Sequence, residues 1–215
     1  MDIFFNQLLP ATFFLTTIYF HLARKNFGIA IGYGIQSLAI ALILLGSFFD
    51  TRSLTLLFII ILLVTFKVII APKFFIGLVK KHEVKFSSSA YLNLPLSLIV
   101  ISVLIAVVHS RVFLPLASLV PAHSELVLLA IAGMLVSLFL VINRKGALSQ
   151  IVGVLSLENS IVTFAIFSGL EQSTALQVGI MFDIAVWFVI ATVFVSMIYK
   201  HFGTLDITEM KQLRD

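Results

Sequence analysis

The chain has 215 residues, of which 60% are hydrophobic and only 11% charged, with a mean hydropathy of +1.16. Soluble domains carry about 25% charged residues, so this composition belongs in a lipid bilayer and leaves no stretch for a soluble catalytic domain. A formal charge of +4 on such a chain does not speak for nucleic acid. The absence of cysteine excludes disulfides, iron–sulfur ligation and zinc-thiolate sites within it.

A helix needs roughly 20 apolar residues to cross about 30 Å of hydrocarbon. Seven runs approach that length: residues 3–22, 27–49, 54–72, 91–109, 125–142, 147–169 and 174–198. The expected fold class is all-α, a polytopic membrane helix bundle of about seven transmembrane helices. Only Asp2 precedes the first run and no small-residue cleavage pattern follows it, so it reads as a retained span.

Seven spans place the loops alternately on two sides. One side receives Arg24, Lys25, Lys73, Lys80, Lys81, Lys85, Arg144, Lys145, Lys200, Lys211 and Arg214, the other only Arg52 and Arg111. By the positive-inside rule the N-terminus is outside and the C-terminus cytoplasmic.

Span two opens with Gly28 and Gly32, a small-xxx-small pattern that admits a second helix closely. Gln36 on the same span is suited to hydrogen-bonding between helices. Span three carries Lys67, four residues before Ala71-Pro72. Two readings of it are open: an amine snorkelling to the headgroups beside Lys73, or a functional group, either a titratable amine or a counter-ion for a carboxylate. The loop from Lys80 to Lys85 reads as a solvated basic segment meeting anionic lipid or a partner. Span four is interrupted at its start by Asn93 and Pro95, and a proline is tolerated in a first turn. His21, His109, His123 and His201 fall near span ends without i, i+4 pairing, so no metal site is expected.

Span six enters after Arg144-Lys145. Ser149, Gly153, Ser156, Ser160 and Thr163 recur at helical spacing and form one small, mildly polar packing stripe. Glu158 lies about 200° around the helix from Ser156, so the span can pack on one neighbour and turn a carboxylate to another. Asp183 lies near the middle of span seven. Both acids come within about 14–17 Å of their spans' outer ends, near the bilayer midplane. A carboxylate at that depth costs about 2.5–3.5 kcal/mol on insertion scales, which points to proton or ion handling. The alternative is a pair of neutral acids that bind helices together. Residues 200–215 form a cytoplasmic tail, in which Thr208 is placed to cap a short helix.

Four stretches carry a family resemblance. Thr65 through Pro72, Arg144 through Gly153 with Leu157-Glu158-Asn159, Val178 through Asp183, and His201 through Asp206 resemble the hydrogenase-4 component E family. Tyr33 through Ser37 matches it more weakly. The last three spans are also similar to the K subunit of respiratory complex I and the C subunit of Mrp-type antiporters. The resemblance implies a five-helix region over residues 1–142, a complex I K-subunit-like region over 143–199 and a tail over 200–215. It implies a non-redox membrane subunit of a group 4 [NiFe]-hydrogenase or formate hydrogenlyase complex. Glu158, Asp183 and Lys67 then lie on a proton path. The implied partners are antiporter-like subunits, a membrane-anchoring subunit and a cytoplasmic arm. Fe–S clusters and the [NiFe] centre are expected on those partners, and no cofactor, metal or catalytic residue in this chain. The rival readings are a scaffold that conducts nothing, a subunit of a related Mrp-like or complex I-like assembly, and a stand-alone transporter. No pair of Gly/Pro-interrupted helices in corresponding halves supports the last.

Overall fold

The computed structural model describes residues 3–81, 89–118 and 120–170, with scattered positions between 173 and 200. Asp183 and the tail from residue 201 lie outside the described residues. Within them the chain is helical and contains no strand; Ala90 and Arg144 form an isolated antiparallel bridge.

The helices follow one another up and down. Helix α1 is Ile3–Leu22 and α2 is Asn26–Thr51. Helix α3, Leu54–Leu63, runs on through a π-helical stretch, Val64–Ile70, into α4, Ala71–Lys81. Helix α5 is Leu94–Val108, α6 a single turn at Leu114–Ala117, α7 Ser124–Asn143 and α8 Ala147–Phe167. Among the described residues, four helical segments are long and apolar enough to cross a membrane: Asn26–Thr51, Leu54–Gly77, Pro121–Asn143 and Ala147–Phe167.

Two boundaries differ from the sequence reading. The run expected to stop at Pro72 continues to Lys81, so α3, the π stretch and α4 form one rod about 42 Å long. Proline lacks an N–H and its ring crowds the carbonyl four residues back. The wider i→i+5 turns before Pro72, ending with the Ala71 N–H on the Phe66 carbonyl, let the helix pass it. The run expected over 91–109 is a helix of 15 residues, about 22 Å long. Asn93 is its cap, not its first turn: its side-chain oxygen accepts from the Leu96 N–H at 3.0 Å, with Pro95 just inside.

One end of the bundle gathers the end of α1, the starts of α2, α5 and α8 and the end of α7. Side-chain hydrogen bonds fasten it. The Ser149 hydroxyl of α8 donates to Asn26 Oδ1 at 3.3 Å. Asn143 accepts the Leu92 N–H at 2.9 Å and donates from Nδ2 to the Ser97 hydroxyl at 3.0 Å. Arg144 donates from Nη2 to the carbonyls of Phe20 and Ala23. Arg24, Lys25 and Lys145 cluster at this same end, Lys145 over the ring of Tyr91.

Helix α2 is central, touching α1, α4, α8 and the π stretch, while α7 and α8 share the most extensive interface. Small residues make the close approaches, as packing between apolar helices requires. A Cβ on Gly32 would come 2.9 Å from the Phe20 ring of α1, and one on Gly153 2.8 Å from Val141 of α7. The small-residue patterns read from spans two and six are packing faces.

Candidate functional site

Two apolar clusters fill the interior. One includes Phe13, Ile40, Leu44, Leu63, Ile131 and Val162; the other includes Phe20, Ile29, Tyr33, Phe75, Leu140 and Val152. On α1, α2, the α3–α4 rod, α7 and α8 alike, a buried polar residue falls in sequence between members of the two clusters. These residues are Thr17, Gln36 with Ser37, Lys67, Ser137, and Ser156 with Glu158 and Asn159. Each helix therefore brings polar groups to the same level, and together they form a polar layer across the bundle between two apolar ones.

The layer is joined by hydrogen bonds. Lys67, 3% exposed, donates from Nζ to Glu158 Oε1 as a buried ion pair, and to Asn159 Oδ1 at 3.1 Å. Asn159 Nδ2 passes contacts on to Gln36 Oε1 at 3.0 Å and to the Ser37 hydroxyl at 3.2 Å. Gln36 Nε2 donates to Thr17 Oγ1 at 2.8 Å and to Ser156 Oγ at 2.9 Å. Ser156 and Ser137 are 2.8 Å apart, oxygen to oxygen. Thr17 closes the α1 end by donating to the Phe13 carbonyl at 3.0 Å.

Local sequence explains how α8 serves both sides. Ser156 and Ser160 lie on the stripe facing α2 and α7, and Ser160 lies against Gly133. Glu158, two residues on from Ser156, faces the π stretch, and Asn159 bridges the two sets. Glu158 is 6% exposed and lies about 16 Å along α8 from Ala147. Lys67 is buried on this rod, and its amine turns onto Glu158 and Asn159 rather than outward. Of the two readings left open for Lys67, the geometry selects the counter-ion. Charges at such depth persist when paired and hydrogen-bonded, and the Asn159 contact supplies the second bond.

Gln36 acts between helices, as its position implied. Thr17 and Ser137 of the layer carry no mark in the sequence reading, and the roles of Asn159 and, at the end of the bundle, Arg144 go unread there. Asn159 was read only as part of a family motif, although an amide beside an intramembrane acid is itself a signal. Arg144 counts in the sequence only among the cations of the cytoplasmic side, yet it is 2% exposed and holds the carbonyls of Phe20 and Ala23 at the end of α1. Burial pushes its pKa down to about 10, so it stays cationic at neutral pH. Among the described residues no three His, Cys, Asp or Glu side chains converge as metal ligands.

No protein-family model, no curated protein and no solved structure matches this chain.

Proposed function

We propose that the chain is an ion-translocating, non-redox membrane subunit, and that the ion is a proton. The observation that carries this reading is the buried Lys67–Glu158 pair continuous with the hydrogen-bonded layer through Asn159, Gln36, Thr17, Ser156 and Ser137. An ion pair in hydrocarbon that opens releases one group able to accept a proton and one able to give it. Neighbouring hydroxyls and internal water can carry that proton across the layer. The amides of Asn159 and Gln36 do not titrate; they hold the hydroxyls in place.

From the motif resemblance we read this chain as a subunit of a hydrogenase-4 or formate hydrogenlyase-type complex of a prokaryotic cytoplasmic membrane. There it would couple electron transfer in a cytoplasmic [NiFe] and Fe–S arm to proton movement, beside antiporter-like and membrane-anchoring subunits. On that reading the bundle has seven spans with the N-terminus outside. The described helices α1, α2, the α3–α4 rod, α5, α7 and α8 are the first six, and residues 174–198 supply the seventh with Asp183. The gathering of Arg24, Lys25, Arg144 and Lys145 at one end supports a cytoplasmic assignment for that end.

The test is proton translocation by the purified complex reconstituted in vesicles. Glu158→Gln is expected to assemble and to lose most translocation, and Glu158→Gln with Asp183→Asn to lose all of it. Normal translocation by the double variant would establish the scaffold reading instead. Loss of assembly in Glu158→Gln alone would make the pair a structural clamp.

A further inference from the structure

His21 takes no part in the layer described above, yet it is 7% exposed and built into the bundle. Its ring stacks on Phe139 of α7, with centroids 5.0 Å apart and planes 14° from parallel. Nε2 lies 3.0 Å from the Val136 carbonyl. A carbonyl only accepts, so Nε2 carries the hydrogen and Nδ1 presents a bare lone pair in the neutral ring. That buried Nδ1 has no hydrogen-bond partner among the described residues. Leaving such a group without a partner costs about 1–3 kcal/mol, and a packing role would be met by Phe at no such cost.

The position of the ring gives the unpaired nitrogen a use. On α1, His21 lies one turn, about 6 Å of rise, beyond Thr17, which is the α1 member of the polar layer. On α7, its Val136 contact adjoins Ser137, the α7 member. On its outer side Arg144 grips the carbonyls of Phe20 and Ala23, which flank it in sequence, and Arg24 and Lys25 are exposed just beyond. Arg144 is the charged group acting on the ring from the α7 side. The titratable groups of α2 are Tyr33, turned onto Phe75 and Ser37, and Asp50 at the far end; on α5 the C-cap His109 is also at the far end.

We propose that His21 is the proton port of the subunit, the group that exchanges protons between the basic end of the bundle and the buried polar layer. The step is balanced at one atom. Nδ1 takes a proton to give the imidazolium, Nε2 keeps its hydrogen on the Val136 carbonyl, and Nδ1 then releases the proton inward through water and the Thr17 and Ser137 hydroxyls. Imidazole suits this task because one ring nitrogen can take and release a proton while the other keeps its hydrogen bond. The inference rests on the proton-translocating reading of the Lys67–Glu158 site.

The experiment compares His21→Gln and Glu158→Gln in the reconstituted complex over pH 5–8. The glutamine amide keeps a donor for the Val136 carbonyl and cannot titrate. His21→Gln is expected to assemble, to translocate protons at least about tenfold more slowly and to show a flatter pH profile than the native complex. Native rate and pH profile in His21→Gln, with Glu158→Gln defective, would overturn the port while leaving the site reading standing. Native behaviour in both would overturn both. Should His21→Gln fail to assemble, 15N NMR of the native complex labelled in its histidine rings decides. A His21 ring that gains and loses its Nδ1 proton across pH 5–8 supports the port, and a ring held in one state throughout overturns it.

Discussion

Removing one partner of the Lys67–Glu158 pair should destabilise the chain more than removing both, with the same consequence for transport. In Lys67→Met, Glu158 is left as a buried acid without its cation; in Glu158→Leu, Lys67 is left as a buried cation. Breaking a buried pair from either side costs about 3–5 kcal/mol, so independent effects would sum to about 6–10 kcal/mol in the double variant. Replacing both partners by apolar residues of similar volume removes the uncompensated charge. What remains is Asn159 Oδ1, deprived of the Lys67 donor 3.1 Å away, which costs about 1–3 kcal/mol. At about 2–4 °C per kcal/mol for a chain of this size, each single variant should melt about 6–20 °C below the native protein and the double only about 2–12 °C below. Thermal unfolding in mild detergent measures the cycle, and proton translocation is measured on the same preparations. An additive double variant would refute the pairing. A double variant that recovers stability and also pumps normally would refute the proton-handling role.

Three further perturbations probe the surroundings. Gln36→Leu removes the link between Asn159, Thr17 and Ser156, and should cost about 1–3 kcal/mol in unfolding experiments while slowing translocation at least about tenfold. Gly153→Leu forces a side chain into the Val141 backbone, so thermal unfolding should show a loss of about 1–3 kcal/mol, and it should slow transport only through lost protein. Arg144→Lys keeps the charge but loses the guanidinium hold on the Phe20 and Ala23 carbonyls. Its melting temperature should fall by about 3–12 °C, from a loss of about 1.5–3 kcal/mol.

Hydropathy and charge made the helical bundle legible because lipid demands long apolar helices whose backbone bonds close within each segment. Helical spacing also separated the face of Ser156 from the face of Glu158, and the structure directs those faces to Gln36 and Lys67 respectively. The partner of Glu158 was harder to read. Lys67 is 91 positions away, and treating Pro72 as a helix end placed it near the headgroups. The π-helical turns that carry the rod past Pro72 leave no clear mark in composition. Arg144 was misjudged for a different reason: the positive-inside rule assigns a side to a cation but says nothing of whether it turns inward onto a helix end. His21 looked like one more residue near a span boundary, because the carbonyl and the aromatic ring that hold it belong to a helix more than 100 residues later in the chain.

The polar layer is difficult to explain as a device for stability alone. Hydrogen bonds between helices in a bilayer contribute about 0.6 kcal/mol on average, and a buried ion pair often contributes less than the apolar side chains it displaces. This bundle already has the means to pack without them, in the close approaches at Gly32 and Gly153. A scaffold would need only those contacts and the fastening of helix ends by Asn143 and Arg144. Thr17, Gln36, Ser37, Lys67, Ser137, Ser156, Glu158 and Asn159 are instead buried at one level and bonded into one network. Their arrangement adds little to stability for the desolvation it requires, whereas a proton crossing the interior needs groups of this kind at this level. That imbalance is the physical argument for proton handling over scaffolding. It also explains why the Lys67→Met/Glu158→Leu protein discriminates between them: only a transport role predicts a well-folded subunit that no longer moves protons.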